Sequence, residues 1–211
     1  SPCIVNIHIE QTLQGRIALL YELQGYYQNH RRMFNSKSYG QLGGKYVTNS
    51  LDLSGCSPVI TKAGSKSQDD LYIPCGLMAL SFFTDYYRWL NTSVGTFKET
   101  EIAQPSDVKH LFKPVNANYT RGIRVLLDKP DFPGETVNEH FIVWMRAAAM
   151  PTFLKLFARC DDCVIPAGDY PIEVRMNYPR SMFHGPRSIV ITKAGGLGSG
   201  SHFLGITFIS T

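Results

Sequence analysis

At 211 residues with 44% hydrophobic content, the chain can bury one substantial core, which excludes disorder as the default and suits a single domain over residues 1–211. A net charge of +4, with Lys and Arg scattered rather than gathered in runs, gives no indication of a nucleic-acid binder and leaves only a weak preference for acidic partners. No apolar run reaches the ~18 to 20 residues that cross a bilayer, and no signal-peptide pattern follows Ser1, so the chain is expected to be an excised or processed piece.

Residues 4–10 alternate, with Val5, Ile7 and Ile9 on one side and Asn6, His8 and Glu10 on the other, and this period predicts a half-buried strand. A turn at Gly15 leads into a second strand over residues 16–23, and residues 28–44, polar and basic, predict an ordered loop or a short helix followed by a loop. Ala79, Phe82, Phe83, Tyr86, Tyr87 and Leu90 fall at i, i+3, i+4 and i+7, which predicts an amphipathic helix over residues 79–90. Residues 123–127, 170–178, 188–192 and 202–209 read as strands, the clearest being 170–178, where Tyr170, Ile172, Val174, Met176 and Tyr178 alternate with Pro171, Glu173, Arg175 and Asn177.

The most distinctive stretch, residues 138–157, sets apolar, aromatic and basic residues in a specific order around Trp144 and Arg146 and contains no catalytic arrangement. Its run from His140 suits a buried helix or a buried strand, and residues 140–150 remain open between the two. This order of elements predicts a mainly β (α+β) fold, an antiparallel β-sandwich with a few inserted short helices, not alternating parallel units.

The five cysteines are Cys3, Cys56, Cys75, Cys160 and Cys163. Two sequons, at Asn91 and Asn118, tilt the reading toward an oxidising, extracytoplasmic compartment. Cys56 and Cys75 enclose a segment rich in Ser, Lys, Gly and Asp that is too polar to hold itself to a core, so a disulfide is expected there. Cys160 and Cys163 have redox and half-zinc-site spacing, but Asp161 and Asp162 oppose a thiolate and no second ligand pair is evident; a local disulfide, or pairing with another cysteine, is the better reading. Cys3 is the odd cysteine, with its partner expected outside the chain.

The six histidines combine with no nucleophile elbow, Glu139-His140 lacks the second histidine of a zinc protease, and no catalytic or metal-binding residue is assigned. The Gly-rich run at 195–201 lacks the Lys-Ser/Thr ending of a phosphate cradle and reads as a hairpin loop. His30-Arg31-Arg32, after Tyr26 and Tyr27, is expected to pair with carboxylates inside the fold or on a partner, a role that suits bidentate guanidinium groups.

Five motifs, in order, span roughly residues 3–209: Tyr27-Gln28-Asn29-His30-Arg31-Arg32; Ile73-Pro74-Cys75-Gly76-Leu77; Phe141-Ile142-Val143-Trp144-Met145-Arg146 with Pro151-Thr152-Phe153-Leu154-Lys155-Leu156; Asn177-Tyr178-Pro179; and Phe203-Leu204-Gly205-Ile206. Together they resemble the cell division control protein 50 / ligand-effect modulator 3 family. Leu80 and Thr84 stand where that family commonly has asparagines, residues 102–107 replace a Trp-containing segment, and Cys160 and Cys163 are atypical, all marks of a divergent member.

The resemblance implies an accessory, non-catalytic subunit of a phospholipid flippase whose partner is a type IV P-type ATPase. Residues 1–211 would be the disulfide-bonded, N-glycosylated ectodomain without its flanking membrane helices, needing no cofactor. It would cap the ATPase's extracytoplasmic loops and support complex stability, exit from the endoplasmic reticulum and lipid flipping, on the lumenal or extracellular side of the endoplasmic reticulum, Golgi, endosomal or plasma membrane. It further implies that Cys56 and Cys75 form the family's central disulfide and that Cys3 belongs to an N-terminal cysteine cluster. Arg31, Arg32, Trp144 and Arg146 are expected to bind the partner or brace the scaffold. Two other readings stand beside it: a free-standing secreted β-sandwich binding module, and a thiol oxidoreductase built on Cys160 and Cys163.

Overall fold

The computed structural model describes residues 2–49 and 51–194, and the backbone of 206–209. In chain order the strands are β1 (Cys3–Ile9), β2 (Leu13–Gln24), β3 (Tyr72–Ile73), β4 (Tyr86–Trp89), β5 (Ile123–Arg124), β6 (Thr152–Ile165), β7 (Gly168–Arg175), β8 (Arg187–Lys193) and β9 (Ile206–Ile209). The helices are α1 (Arg31–Asn35), α2 (Tyr39–Leu42), α3 (Leu77–Leu80), α4 (Pro105–His110) and α5 (Glu139–Met145). No helix among the described residues is long and apolar enough to cross a membrane. The chain forms two compact units: Ser1–Tyr26, Thr84–Ile102 and Pro151–Thr211 in the first, and Tyr27–Phe83 and Ala103–Met150 in the second.

The first unit is a sandwich of two antiparallel sheets, ordered β1-β7-β4 and β6-β2-β8-β9. Alternation explains its core. Ile7, Ile9, Ile172 and Val174 from one sheet, and Ile17, Leu19, Leu23, Ile189 and Ile191 from the other, are all fully buried. Tyr87 of β4 crosses between the sheets, its ring 5.0 Å from Phe157 of β6 and 6.3 Å from Tyr21 of β2.

A buried ion pair sits in this unit. Arg187 Nη1 donates to Asp85 Oδ2 at 2.7 Å while Tyr178 N donates to Asp85 Oδ1 at 2.8 Å, and Arg187 also reaches the Phe183 carbonyl at 3.1 Å. Burial pushes the Asp85 carboxyl above its ordinary range, against the lowering pull of Tyr178 and Arg187.

The second unit has little regular sheet. Its β3 and β5 form a two-stranded parallel pair, so the expected strand over 123–127 shortens to Ile123–Arg124. One core cluster gathers Leu53, Leu71, Ile73 and Tyr119 about Cys56 and Cys75. Elsewhere in the unit Phe82 packs edge-on against Phe132 and Phe141, and Phe83 stacks on the fully buried Trp144.

The expected helix over 79–90 is overturned. Helix α3 ends at Leu80, and Tyr86–Trp89 is a strand paired with β7, Tyr87 opposite Val174. The spacing looked helical because Phe82 and Phe83, buried in one unit, fall four residues before Tyr86 and Tyr87, which belong to the other. Gly15 is no turn either: with φ at 97° it lies where β2 shifts register against β6, inside a strand that starts at Leu13.

The open segment 140–150 is helix as far as Met145, and the strand begins only beyond it. Asn138 caps α5, its Oδ1 accepting from His140 N at 2.9 Å and Phe141 N at 3.2 Å, and after Pro151 the chain enters β6. The Gly-rich run at 195–201 and the start of the last expected strand, 202–205, lie outside the described residues.

Candidate partner interface

The Tyr27-to-Arg32 motif is anchored at its start. Gln28, fully buried, donates through Nε2 to the Trp144 carbonyl at 3.3 Å and accepts from Ala148 N at 3.0 Å; Asn29 Nδ2 donates to the Ala149 carbonyl at 2.9 Å. His30 caps α1, its Nδ1 accepting from Arg32 N at 3.3 Å, and Ser38 caps α2, accepting from Gln41 N at 3.3 Å. Between them the chain is tied to the disulfide. Ser36 Oγ donates to the Cys56 carbonyl and accepts from Leu77 N, both at 2.9 Å, and Cys75 N donates to Gln41 Oε1 at 2.8 Å.

This anchoring leaves a basic and aromatic face turned to solvent. Arg31 and Arg32 are exposed, and neither makes an ion pair among the described residues. The half-buried Lys37 places Nζ 4.6 Å from the centre of the Phe34 ring and 5.4 Å from that of Tyr39, both exposed. A cleft of about 430 Å³ opens beside it, lined by Lys37, Tyr39, Tyr46 and Asp52. Between Glu22 and Asp52 the sequence contains no acidic residue, while it carries Arg31, Arg32, Lys37 and Lys45. Such a face suits a carboxylate-bearing loop, which guanidinium groups can hold bidentately.

Of the expected scaffold residues, Trp144 is fully buried and its Nε1 donates to the Met78 carbonyl at 3.0 Å. Arg146 follows α5 and pairs through Nε with Asp107 Oδ2 at 3.2 Å, its side chain mostly exposed. Cys56 and Cys75 are bridged, as are Cys160 and Cys163, and Cys3 is a free, exposed cysteine. Asn118 is exposed and Asn91 half-buried at the start of a short turn. In the first unit, hydrogen bonding from Arg175, with Arg88 adding to it, holds the Glu173 carboxyl below its usual range.

Sequence reasoning singled out Arg31 and Arg32 but not Phe34, Lys37 and Tyr39 beside them in the chain. The absence of Asp and Glu over the whole interval was the available signal. Among the described residues, no group of three or more His, Cys, Asp and Glu side chains is placed to hold a metal.

A family model described as "LEM3 (ligand-effect modulator 3) family / CDC50 family" matches residues 1–211. The chain belongs to the LEM3/CDC50 family. Cell cycle control protein 50A of Bos taurus is 30% identical over 241 residues, an overlap of 100% of this chain and 64% of that protein. Cell cycle control protein 50C of Mus musculus is 30% identical over 243 residues, covering 99% and 66%. ALA-interacting subunit 3 of Arabidopsis thaliana is 31% identical over 214 residues, covering 99% and 59%. The chain thus spans less than two thirds of the length of these LEM3/CDC50 relatives.

Proposed function

We propose that this domain is the extracytoplasmic part of a non-catalytic accessory subunit assembled with a phospholipid-translocating type IV P-type ATPase. Family membership over the whole chain supports this reading, as does the name of the Arabidopsis relatives, ALA-interacting subunits. In this reading residues 1–211 act as one ectodomain, joined to the membrane by helices outside this sequence and offering N-glycosylation sites at Asn91 and Asn118. It caps acidic extracytoplasmic loops of the ATPase, holds the complex together and supports its exit from the endoplasmic reticulum and lipid flipping. Cys3 pairs with a cysteine beyond this sequence, and neither cofactor, metal nor nucleic acid takes part.

The observation that carries the proposal is the exposed basic and aromatic segment from Arg31 to Tyr39, clamped to the Cys56–Cys75 bridge by Ser36 and Gln41. A loop-holding subunit needs its contact groups on a rigid support, and this bridge supplies one. Burial of Cys160 and Cys163, 5% and 1% exposed, counts against the thiol oxidoreductase reading, because an attacking sulfur must reach its substrate.

The test is affinity purification of the full-length protein from membranes, with the bound ATPase identified by mass. Arg31→Glu with Arg32→Glu is expected to cut recovery of the ATPase several-fold. Stability should change by no more than about 0.5 kcal/mol, since neither side chain is buried or paired. Unchanged recovery would remove the face from the interface; wild-type protein that recovers no such ATPase would sink the whole reading.

A further inference from the structure

The Asn91 sequon and the Cys160–Cys163 bridge share one part of the sandwich. Asn91 Oδ1 accepts from Ser93 N at 3.2 Å and from Ser93 Oγ at 2.5 Å, and the Trp89 indole donates to the Asn91 carbonyl at 2.5 Å. The turn Thr92–Val94 then passes to Gly95, whose φ is 138° and on which a methyl group would overlap Cys163 Sγ. Three residues on, Lys98 and Arg159 exchange backbone hydrogen bonds of 2.7 and 2.9 Å. Residues 91–98 are therefore strapped across β6, and Gly95 seals a bridge whose two cysteines are almost wholly buried.

The other sequon differs in its side chains, although its backbone also turns, Thr120 N donating to the Asn118 carbonyl at 2.9 Å. Asn118 and Thr120 are exposed, and among the described residues neither side chain makes a hydrogen bond. Glycan transfer joins the asparagine Nδ2 to the anomeric carbon of a lipid-diphosphate-linked oligosaccharide. The sugar–phosphate C–O bond breaks, the diphosphate leaves, and the amide proton goes to a base. The acceptor amide must turn outward, and the hydroxyl two residues on must be available to hold the sequon in place. At Asn91 that hydroxyl already donates to the asparagine itself, and the segment that follows is docked on β6.

We propose that closure of the Cys160–Cys163 bridge competes with glycosylation of Asn91: the site accepts a glycan only before the strap docks, whereas Asn118 remains open after folding. In closure, two thiols surrender two protons and two electrons to a disulfide oxidant, which leaves as a dithiol. The competition rests on the extracytoplasmic reading above, because both reactions belong to that compartment.

The experiment expresses the full-length protein in a eukaryotic secretory host and measures occupancy at both asparagines by peptide mass spectrometry after enzymatic glycan removal in heavy-oxygen water. Wild type should show Asn91 well below Asn118. Cys160→Ser with Cys163→Ser should raise Asn91 several-fold and leave Asn118 unchanged. Gly95→Val, which displaces the strap while keeping both cysteines, should do the same and guards against an effect of general misfolding. Asn91 filled as completely as Asn118 in wild type, or unmoved in both variants, would overturn the competition alone. An empty Asn118 in wild type would overturn the extracytoplasmic reading and the competition with it.

Discussion

In the first unit backbone groups are satisfied by ladders: β2 pairs along both edges, with β6 and with β8, and the paired faces bury a continuous apolar layer. The second unit, with helices of four to seven residues and a two-stranded sheet, relies on side chains instead. Gln28, Ser36 and Gln41 hydrogen-bond its backbone, and a disulfide closes its most polar segment. The difference teaches where each region is vulnerable. A ladder spreads its stabilisation over many bonds, whereas a stapled segment concentrates it in a few.

The largest expected effect lies at the buried ion pair of the ladder-built unit. Arg187→Met leaves Asp85 buried without its counter-charge and should cost about 3–5 kcal/mol, read as a fall in the urea midpoint at unchanged slope; a loss under 1 kcal/mol would mean that Tyr178 N alone suffices.

Next come the two bridges, which set the comparison most directly. Cys56 and Cys75 are 19 residues apart, so loop-closure entropy predicts a loss of about 3 kcal/mol for their double replacement by alanine. Cys160 and Cys163 are 3 apart within one strand, and the same argument gives about 2 kcal/mol. Equal or inverted losses in parallel urea titrations would show that the stapled unit does not depend on its staple more than the sheet does.

The smallest effect is a pH dependence confined to the first unit. The Asp85 carboxyl is raised in the folded state, so between the unfolded carboxylate pKa of about 4 and the folded value the native protein holds a proton that the unfolded chain has lost. Its contribution to stability therefore falls as pH rises through that window. Glu173 is lowered, and its contribution is lost as pH falls through its own folded value. Asp85→Asn should flatten the upper window and Glu173→Gln the lower; urea midpoints collected across acidic pH for all three proteins distinguish the two, and parallel curves would contradict both.

What could be read from the sequence tracks how local each cause is. Strand β7 was legible because Tyr170, Ile172 and Val174 carry a period of two by themselves, but it ends at Arg175 and not at Tyr178, where Tyr178 N turns instead to Asp85. The cross-link at Cys56 and Cys75 followed from the polarity of the segment between them. The strand at Tyr86 was not legible, because Asp85 before it answers to Arg187, 102 residues away, and the chain changes unit between Phe83 and Thr84. The basic cluster could be seen, but not its aromatic frame: Lys37 reaches Phe34 and Tyr39 only because His30 and Ser38 cap the two short helices.

The bridge inside β6 has a further consequence. This 14-residue strand is the outer member of its described sheet, and so long an edge would ordinarily template pairing with another chain. Here the edge is interrupted at Arg159 by Lys98, distorted at Cys160 to Cys163 by the bridge, and flanked by Lys155, whose side chain is buried. Stray strands meet no long, uniform row of free amides and carbonyls, so the domain should resist fibril-like association even before any partner covers it.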